Sequence, residues 1–498
     1  MDDLYDLCIV KPPTKSLATK CTANFLKFIK NSTKSQLYEL DLEKSLFCTI
    51  KVLSFCDEVL HTSTPCIFKA TNYYETVKDF YSQLLQVFLT RSASSNADEI
   101  IKSVIEITHN EKLWRWEDLC HDLIHGVVDC GVNEYRVISY LLEKAQNVET
   151  SSKDSQKILR ILYKNLEDYF CHDEGDSCAT VDGFLKLYHE TLTSPENEKQ
   201  VILKKGLEIC ILNIIKHLSK GPLLSIITRM GHWTLQDNSH DDEIILEFSN
   251  LLESAGQQYK MIYFENILTQ NLFFLLLKMI SSSNASVSLV GNRILQHLID
   301  RNGNKSQFQS VKIFFENTNH DIKINDKNPK DEEFLKRYRE LIHDSFLQGF
   351  ISHCSLRINL EAMYCTICLI AVEVPCGFIA AALACLMMNI QDLTLEHLDA
   401  NRPATYHVHA AVLGIMSLIC WIHRARVFYS YVNSVLMERA QWAPHLNPPL
   451  ATHYDFAVHH VLWDKPELFF IDWEVRFGLW KCFRLQSDEE SGNEAKKE

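Results

Sequence analysis

Two cysteines and two histidines fall close together at Cys120, His121, His125 and Cys130. His121 and His125 are four residues apart, which on a helix sets both imidazoles on one face, and imidazole with thiolate is a ligand set for zinc. The spacing matches no zinc module, and the neighbours Leu119, Leu123, Ile124, Val127 and Val128 read as an ordinary core face. Cys365 and Cys368 have the spacing of a redox pair but lie in an apolar helical run, without the strand–helix–strand setting such pairs use. Gly175-Asp176-Ser177-Cys178-Ala179 lacks the second glycine of a nucleophile elbow. No phosphate-cradling glycine loop, kinase set or His-Glu-x-x-His occurs. Asp241-Asp242-Glu243 reads as the solvated start of a helix. No catalytic, cofactor-binding or metal residue is assigned, and the expectation is a non-enzymatic chain with no cofactor.

The chemistry that remains is basic. Lys11, Lys15, Lys20, Lys27, Lys30 and Lys34 stand between Asp6 and Glu39 with no acidic residue among them, and Leu17, Phe25, Leu26, Phe28 and Ile29 are interleaved. Such a stretch suits an anionic membrane surface, where each lysine adds about 1 kcal/mol. By pattern alone it suits the solvated face of a first helical hairpin better. Lys15, Lys20, Lys27 and Lys30 are the candidate membrane-facing residues.

The elements that would position these groups are helical. Leu203, Leu207, Cys210, Ile211, Ile214, Ile215 and Leu218 recur at helical spacing, as do Ile158, Leu159, Leu162, Leu166 and Tyr169, and Val137, Ile138, Leu141 and Leu142. Ser194-Pro195-Glu196 reads as a capped helix start and Lys220-Gly221-Pro222 as a helix stop. Polar breaks near 91–98, 147–155, 172–182, 236–242 and 281–284 leave room for one or two helices between them, as in stacked hairpins. With 15 glycines and 12 prolines in 498 residues, the turn-makers are at about half their usual share, too few for a sandwich, barrel or propeller. The expected fold is all-α: a HEAT- or armadillo-like α-solenoid of stacked helical hairpins with a C-terminal helical block. An irregular helical bundle fits the same pattern, since no strict repeat period appears. The polar stretch 301–333 is the expected linker between an N-terminal solenoid (1–300) and a C-terminal block (334–485), and 486–498 is the expected disordered tail.

A formal charge of −14, from 50 basic and 64 acidic residues, argues against a general nucleic-acid binder. The 17 cysteines are scattered singly, and Met1-Asp2-Asp3-Leu4 does not open a secretory signal, so free thiols in a reducing compartment are expected. Met363–Met388 carries one charge, Glu373, and is long enough to span a bilayer. Glu373, Val374 and Pro375 sit at its centre, however, and cut it into two helices suited to a soluble core. Ala410–Ile422 likewise has the length of a buried helix.

The second half carries a more specific signal. Leu298-Ile299-Asp300-Arg301 with Asn304 closes one predicted helix and Tyr338 opens another. A run through Met363, Leu369, Ala371 and Glu373 leads to Asn389-Ile390-Gln391-Asp392. Glu438-Arg439-Ala440-Gln441-Trp442-Ala443-Pro444 follows, then Asp464-Lys465. In this order, with Leu113-Trp114 upstream, the segments resemble the Efr (eighty-five-requiring, or rolling blackout) family over roughly residues 100–470. The resemblance implies a rod-like, non-enzymatic α-helical repeat protein at the cytosolic face of the plasma membrane. It also implies a partner, the phosphatidylinositol 4-kinase alpha complex, held through its tetratricopeptide scaffold subunit in support of phosphatidylinositol 4-phosphate synthesis. Family N-termini carry an acylated cysteine cluster and a basic surface; here Cys8 and Cys21 stand apart and the chain starts late relative to the family. A lengthened insert separates Pro444 from Asp464, and the family's long C-terminal tail is reduced to a few polar residues. A soluble helical-repeat adaptor without a membrane role is the alternative from another class, and a protein embedded through Met363–Met388 a third.

Overall fold

The computed structural model describes residues 1–10, 15–62, 67–91, 95–168, 174–194, 197–236, 242–259, 263–264, 270–397, 403–451, 454, 465–472, 474, 476–479 and 483. Every regular element among them is helical. The chain forms two compact units that divide between Pro222 and Leu223.

The first unit holds α1 (Asp2–Ile9), α2 (Lys15–Asn31), α3 (Lys34–Leu37), α4 (Leu42–Thr62), α5 (Ile67–Arg91) and α6 (Ser95–Asn110). After a 3-10 turn at Leu113–Arg115 come α7 (Glu117–Asp129), α8 (Glu134–Gln146), α9 (Ser152–Asp168), α10 (Glu174–Thr193) and α11 (Glu198–His217). From α4 to α11 the helices pack on the one two places further along the chain: α4 on α6, α6 on α8 and α8 on α10 in one row, α5 on α7, α7 on α9 and α9 on α11 in the other. That two-row stacking is the local rule of a helical-repeat solenoid. It follows from the apolar stripes: Ile158, Leu159, Ile161, Leu162 and Leu166 of α9 are all buried, and each such side chain removed from water contributes about 1.5–3 kcal/mol. Tyr169, at the end of that stripe, lies outside the described residues.

The second unit holds most of α12 (Lys220–Gln236), then α13 (Asp242–Gln258), α14 (Gln270–Ile280), α15 (Ala285–Ile299), α16 (Pro329–Arg337) and α17 (Arg339–His353). It continues through α18 (Arg357–Glu373), α19 (Gly377–His397), α20 (Pro403–His423) and α21 (Arg426–Trp442). Two rows recur here: α13, α15, α18 and α20 stack in order, as do α14, α17 and α19. The apolar run around Glu373 is two helices, α18 and α19, broken at Val374–Cys376 as the charge and proline require. Two helices, over Gly377–Glu396 and Pro403–His423, have the length and apolarity to cross a membrane. In α20 every residue from Thr405 to Cys420 is buried, because α18, α19 and α21 surround it. A helix that is apolar all round is what such a central position selects.

Two local expectations change. Ser194 does not cap α11: its hydroxyl donates to Glu190 O, 2.7 Å away, which ends α10, while Asn197 caps α11 by accepting from Gln200 N at 2.9 Å. Pro195 and Glu196 lie outside the described residues. Lys220-Gly221-Pro222 begins α12 rather than closing α11, and Pro222 in a first turn lacks only an N–H that the helix would leave unbonded anyway. The boundary between units falls at residue 222, and the polar stretch 301–333 lies inside the second unit. It is irregular apart from a 3-10 turn at Asn304–Phe308 and the start of α16, yet Phe308, Val311 and Phe314 are buried, so it is anchored by widely spaced apolar residues rather than freely solvated. The tail 486–498 lies outside the described residues.

Candidate functional site

The basic face sits on α2. Ala18, Cys21 and Phe25 form its buried side, and Phe25 meets Phe80 of α5 edge-on with ring centroids 5.6 Å apart. At 3.6 residues per turn Lys20 and Lys27 project within about 20° of one another, and Lys30 about 60° further round. All three are exposed, and the helix carries no acidic residue. The structure thus brings Lys20, Lys27 and Lys30 to one solvent face; the side chain of Lys15, the first residue of α2, lies outside the described residues.

Behind that face is a group of thiols that their sequence positions concealed. Cys8 of α1, Cys21 of α2 and Cys48 of α4 are buried where the three helices meet, and the Cys8 thiol is within hydrogen-bonding reach of the other two. The contact with Cys48, then burial, raises the Cys8 thiol far above its ordinary range, and burial pushes Cys21 up to about 11. Cys8 and Cys21 are therefore neutral thiols in this fold, and Cys48 is buried beside them.

The histidine–cysteine set on α7 does not converge. Cys120 turns inward to Leu113 O at 3.2 Å, and Cys130 to Ser82 O at 3.6 Å. The His121 and His125 rings lie 5.7 Å apart, and His125 Nδ1 pairs with Asp129 at 2.6 Å. Among the described residues no group of three or more ligands is arranged to hold a metal. Cys365 and Cys368 are buried in α18, where burial pushes Cys365 up to about 12 and raises Cys368 as well. A groove of about 620 Å³ between α9 and α11 has Leu159, Ile202, Gly206 and Ile209 on its floor. On its rim Arg160 pairs with Glu117 at 3.2 Å, and Lys164 beside it pairs with Asp118 at 2.8 Å.

The segments that carry the family resemblance form the polar skeleton of the second unit. Arg301 is held between two wholly buried carboxylates, Asp331 at 2.7 Å and Glu373 at 3.2 Å, with Phe264 under its guanidinium at 4.6 Å. Glu373 also accepts from Arg301 N at 3.2 Å and from Asn325 Nδ2 at 3.0 Å. Burial pushes its carboxyl up to about 7, against the opposing pull of Arg301. Asp300 accepts from the backbone of Asn304 and Lys305, at 2.8 and 2.9 Å, and so shapes the turn after α15. Tyr338 stacks against Phe334 at 4.9 Å and meets Phe273 edge-on at 5.4 Å. Gln391 accepts from Phe470 N at 2.9 Å, and Asp392 pairs bidentately with Arg476 at 2.7 and 2.8 Å.

Arg439 is the extreme case. Its side chain is completely buried, and it donates to Leu468 O (2.7 Å), His409 O (3.0 Å) and Leu446 O (3.1 Å). Burial lowers its guanidinium to about 9, and burial together with that cation holds neighbouring His445 down to about 4. Sequence reading singled out the motif around Arg439 but not this role. The signal available was an arginine in a segment flanked by aromatic and small residues, which by itself does not distinguish a buried fork from a surface charge. Lys465, from the last of the quoted segments, stacks on Trp442 at 4.2 Å; Asp464 lies outside the described residues.

Comparison with known proteins places this skeleton. The family model described as EFR3, armadillo repeat, matches residues 61–458. The chain is similar to Protein EFR3 homolog B of Mus musculus, 24% identical over 236 residues, which are 46% of this chain and 28% of that protein. It is similar to Protein EFR3 homolog B of Homo sapiens, 24% identical over 210 residues, 41% of this chain and 25% of that protein. A stretch of 90 residues is 33% identical to the chromosomal replication initiator protein DnaA of Flavobacterium psychrophilum, covering 18% of this chain and 17% of that protein. The aligned region is thus little more than a quarter of the length of the curated EFR3 relatives. With a family match across more than half of its residues and stacked helical rows in both units, the chain belongs to the EFR3 armadillo-repeat family.

Proposed function

We propose that this chain is a non-enzymatic scaffold that helps recruit or hold the phosphatidylinositol 4-kinase alpha complex at the cytosolic face of the plasma membrane, and so supports phosphatidylinositol 4-phosphate synthesis. Family membership over residues 61–458 is the observation that carries the proposal. Stacked helices suit the role, since a solenoid offers extended faces to protein partners. The protein partner is the kinase complex, bound through its tetratricopeptide scaffold subunit. The lipid partner is an anionic leaflet, contacted by Lys20, Lys27 and Lys30, with Lys15 at the start of α2 the fourth candidate.

Co-precipitation of the tagged full chain from cells, probed for the kinase, tests the protein side. Recovery of the kinase supports the scaffold reading. If a folded, expressed chain brings down no kinase, the family likeness extends to the fold alone and the soluble adaptor reading takes its place.

A further inference from the structure

Between α17 and α19, neighbours in one row of the second unit, lies an apolar trough with an acidic lip. Leu335, Ile342, Ile370, Ile379, Leu383 and Leu386 line a cavity of about 320 Å³ at one end. About two and a half turns further along both helices, Phe350, Ile351, Leu393 and Val408 line a second hollow of about 30 Å³. The lining residues rise in number together on the two helices, so α17 and α19 run side by side in the same direction. Between the two hollows a single polar strap crosses the trough, where Asn389 Nδ2 donates to His343 Nε2 at 2.9 Å. Phe378, Ile351 and Leu395 are exposed along these helices.

The charge of this surface has one sign. Past Arg339, α17 carries no lysine or arginine and α19 carries none at all, whereas the pair carries Glu340, Asp344, Asp392 and Glu396. Asp392 is held by Arg476. Glu340 and Asp344, one turn apart on α17, border the larger cavity with side chains 83% and 79% exposed. Glu340 meets Arg339 at 2.9 Å and Asp344 meets His343 at 3.2 Å. Pairs this exposed hold their partners weakly, so both carboxylates stay open to an incoming cation.

The walls also select the form of the occupant. They are the sides of helices, whose backbone groups are already bonded within each helix. An extended peptide laid here would find no partners for its own N–H and C=O groups over an apolar floor. A helix brings its backbone bonds with it and offers side chains at i, i+3, i+4 and i+7 to such a groove. Residues 339–354 span about 22 Å, the length of about four helical turns.

We propose that the trough between α17 and α19 receives a basic amphipathic helix from a partner protein, its apolar face filling the cavity under Ala382 and its lysines or arginines meeting Glu340 and Asp344. The inference does not depend on the membrane or kinase reading.

Cys385 is an exposed thiol that lines the same cavity, so its reaction with maleimide, read by mass spectrometry on the full chain, reports occupancy. Two synthetic helices of about four turns serve as probes, with identical leucine faces and either lysine or glutamate on the polar face. At saturation the lysine peptide is expected to slow labelling of Cys385 at least about ten-fold, and the glutamate peptide to leave it unchanged. Glu340→Lys with Asp344→Lys is expected to invert that order. Ala382→Trp, which fills the cavity, is expected to abolish protection by the lysine peptide. Equal protection by the two peptides, or an order that survives the charge reversal, overturns the proposal. So does a lysine peptide that binds the chain and leaves Cys385 labelling as it was, since it then sits elsewhere on an acidic protein. If Ala382→Trp does not fold, the reversal of the two exposed carboxylates decides alone.

Discussion

Glu373 offers a measurement in which sign and size both follow from the structure. Its carboxyl is wholly buried, it shares one guanidinium with Asp331, and its folded pKa stands near 7 against an ordinary value of 4.5. Between those two values the folded chain holds a proton that the unfolded chain has released. Its contribution to stability is therefore fully present below about pH 4.5 and is lost as pH rises through 7. The gap, at about 1.36 kcal/mol per pH unit, comes to roughly 3 kcal/mol. Glu373→Gln removes the titration and keeps the size of the side chain. Whatever the amide costs by facing the donors Asn325 and Arg301 is the same at every pH, and the other titrations cancel on subtraction. Urea unfolding of both chains at pH 5, 6, 7 and 8, followed by pulsed hydrogen exchange of peptides from 357–373, reads the unit that holds the residue. Relative to the variant, the wild type is expected to lose about 2.5 kcal/mol from pH 5 to pH 8, the rest of the gap lying below pH 5. If the two curves stay parallel within about 0.5 kcal/mol, Arg301 compensates burial in full, Glu373 ionises alike in both states, and the reasoning fails.

Other outcomes follow from the same contacts. Arg439→Met strands three buried carbonyls and is expected to destabilise the second unit by at least about 3 kcal/mol in urea. Arg439→Lys is expected to cost nearly as much, because a single ammonium does not span the fork; a variant as stable as wild type would mean the bonds to Leu468, His409 and Leu446 contribute nothing. In native maleimide labelling, Cys385, which is exposed, reacts ahead of Cys8, Cys21, Cys48 and Cys368, which wait for unfolding. Labelling of Cys8 at the rate of Cys385 would show that α1 is not docked. Alkaline carbonate is expected to strip the chain from membranes, since α20 is enclosed by other helices; retention in the pellet would make it a spanning helix after all.

The helices were legible because their signal is periodic. The stripes of α8, α9 and α11 appear in the structure as buried faces, and a central charge and proline were enough to divide α18 from α19. Punctuation was less legible, because serine, glycine and proline serve one helix end or the next depending on a frame of two or three residues. The true cap of α11 is Asn197, and Lys220-Gly221-Pro222 opens a helix instead of closing one. The stretch 301–333 reads as polar because its anchors are far apart: Phe308, Val311 and Phe314 are too few for any period, and Asn304 and Arg301 look like surface residues until their partners nineteen or more positions away are known. The same holds for Cys8, Cys21 and Cys48, whose proximity is a product of helix packing that no local pattern carries.

Several of the residues that mark the family, Glu373, Gln391 and Arg439 among them, are buried, and this separates what family membership fixes from what it leaves open. Glu373, Gln391 and Arg439, with Arg301 beside them, orient backbone groups and loops inside the second unit, so they specify a fold. Lys20, Lys27 and Lys30 are exposed and lie before residue 61, where the family match begins. The proposed reading assigns membrane contact to these lysines and partner contact to other residues, and one triple variant separates them. Reversing these lysines to glutamate removes about 1 kcal/mol of attraction each and adds repulsion, so flotation on vesicles containing phosphatidylserine should fall about a hundred-fold or more at physiological salt. Because the substitutions sit on a solvent face, co-precipitation of the kinase complex by detergent-solubilised chain should be unchanged. Flotation that survives the reversal assigns the lipid contact to another surface. Loss of kinase recovery together with flotation would instead place the partner on α2 itself.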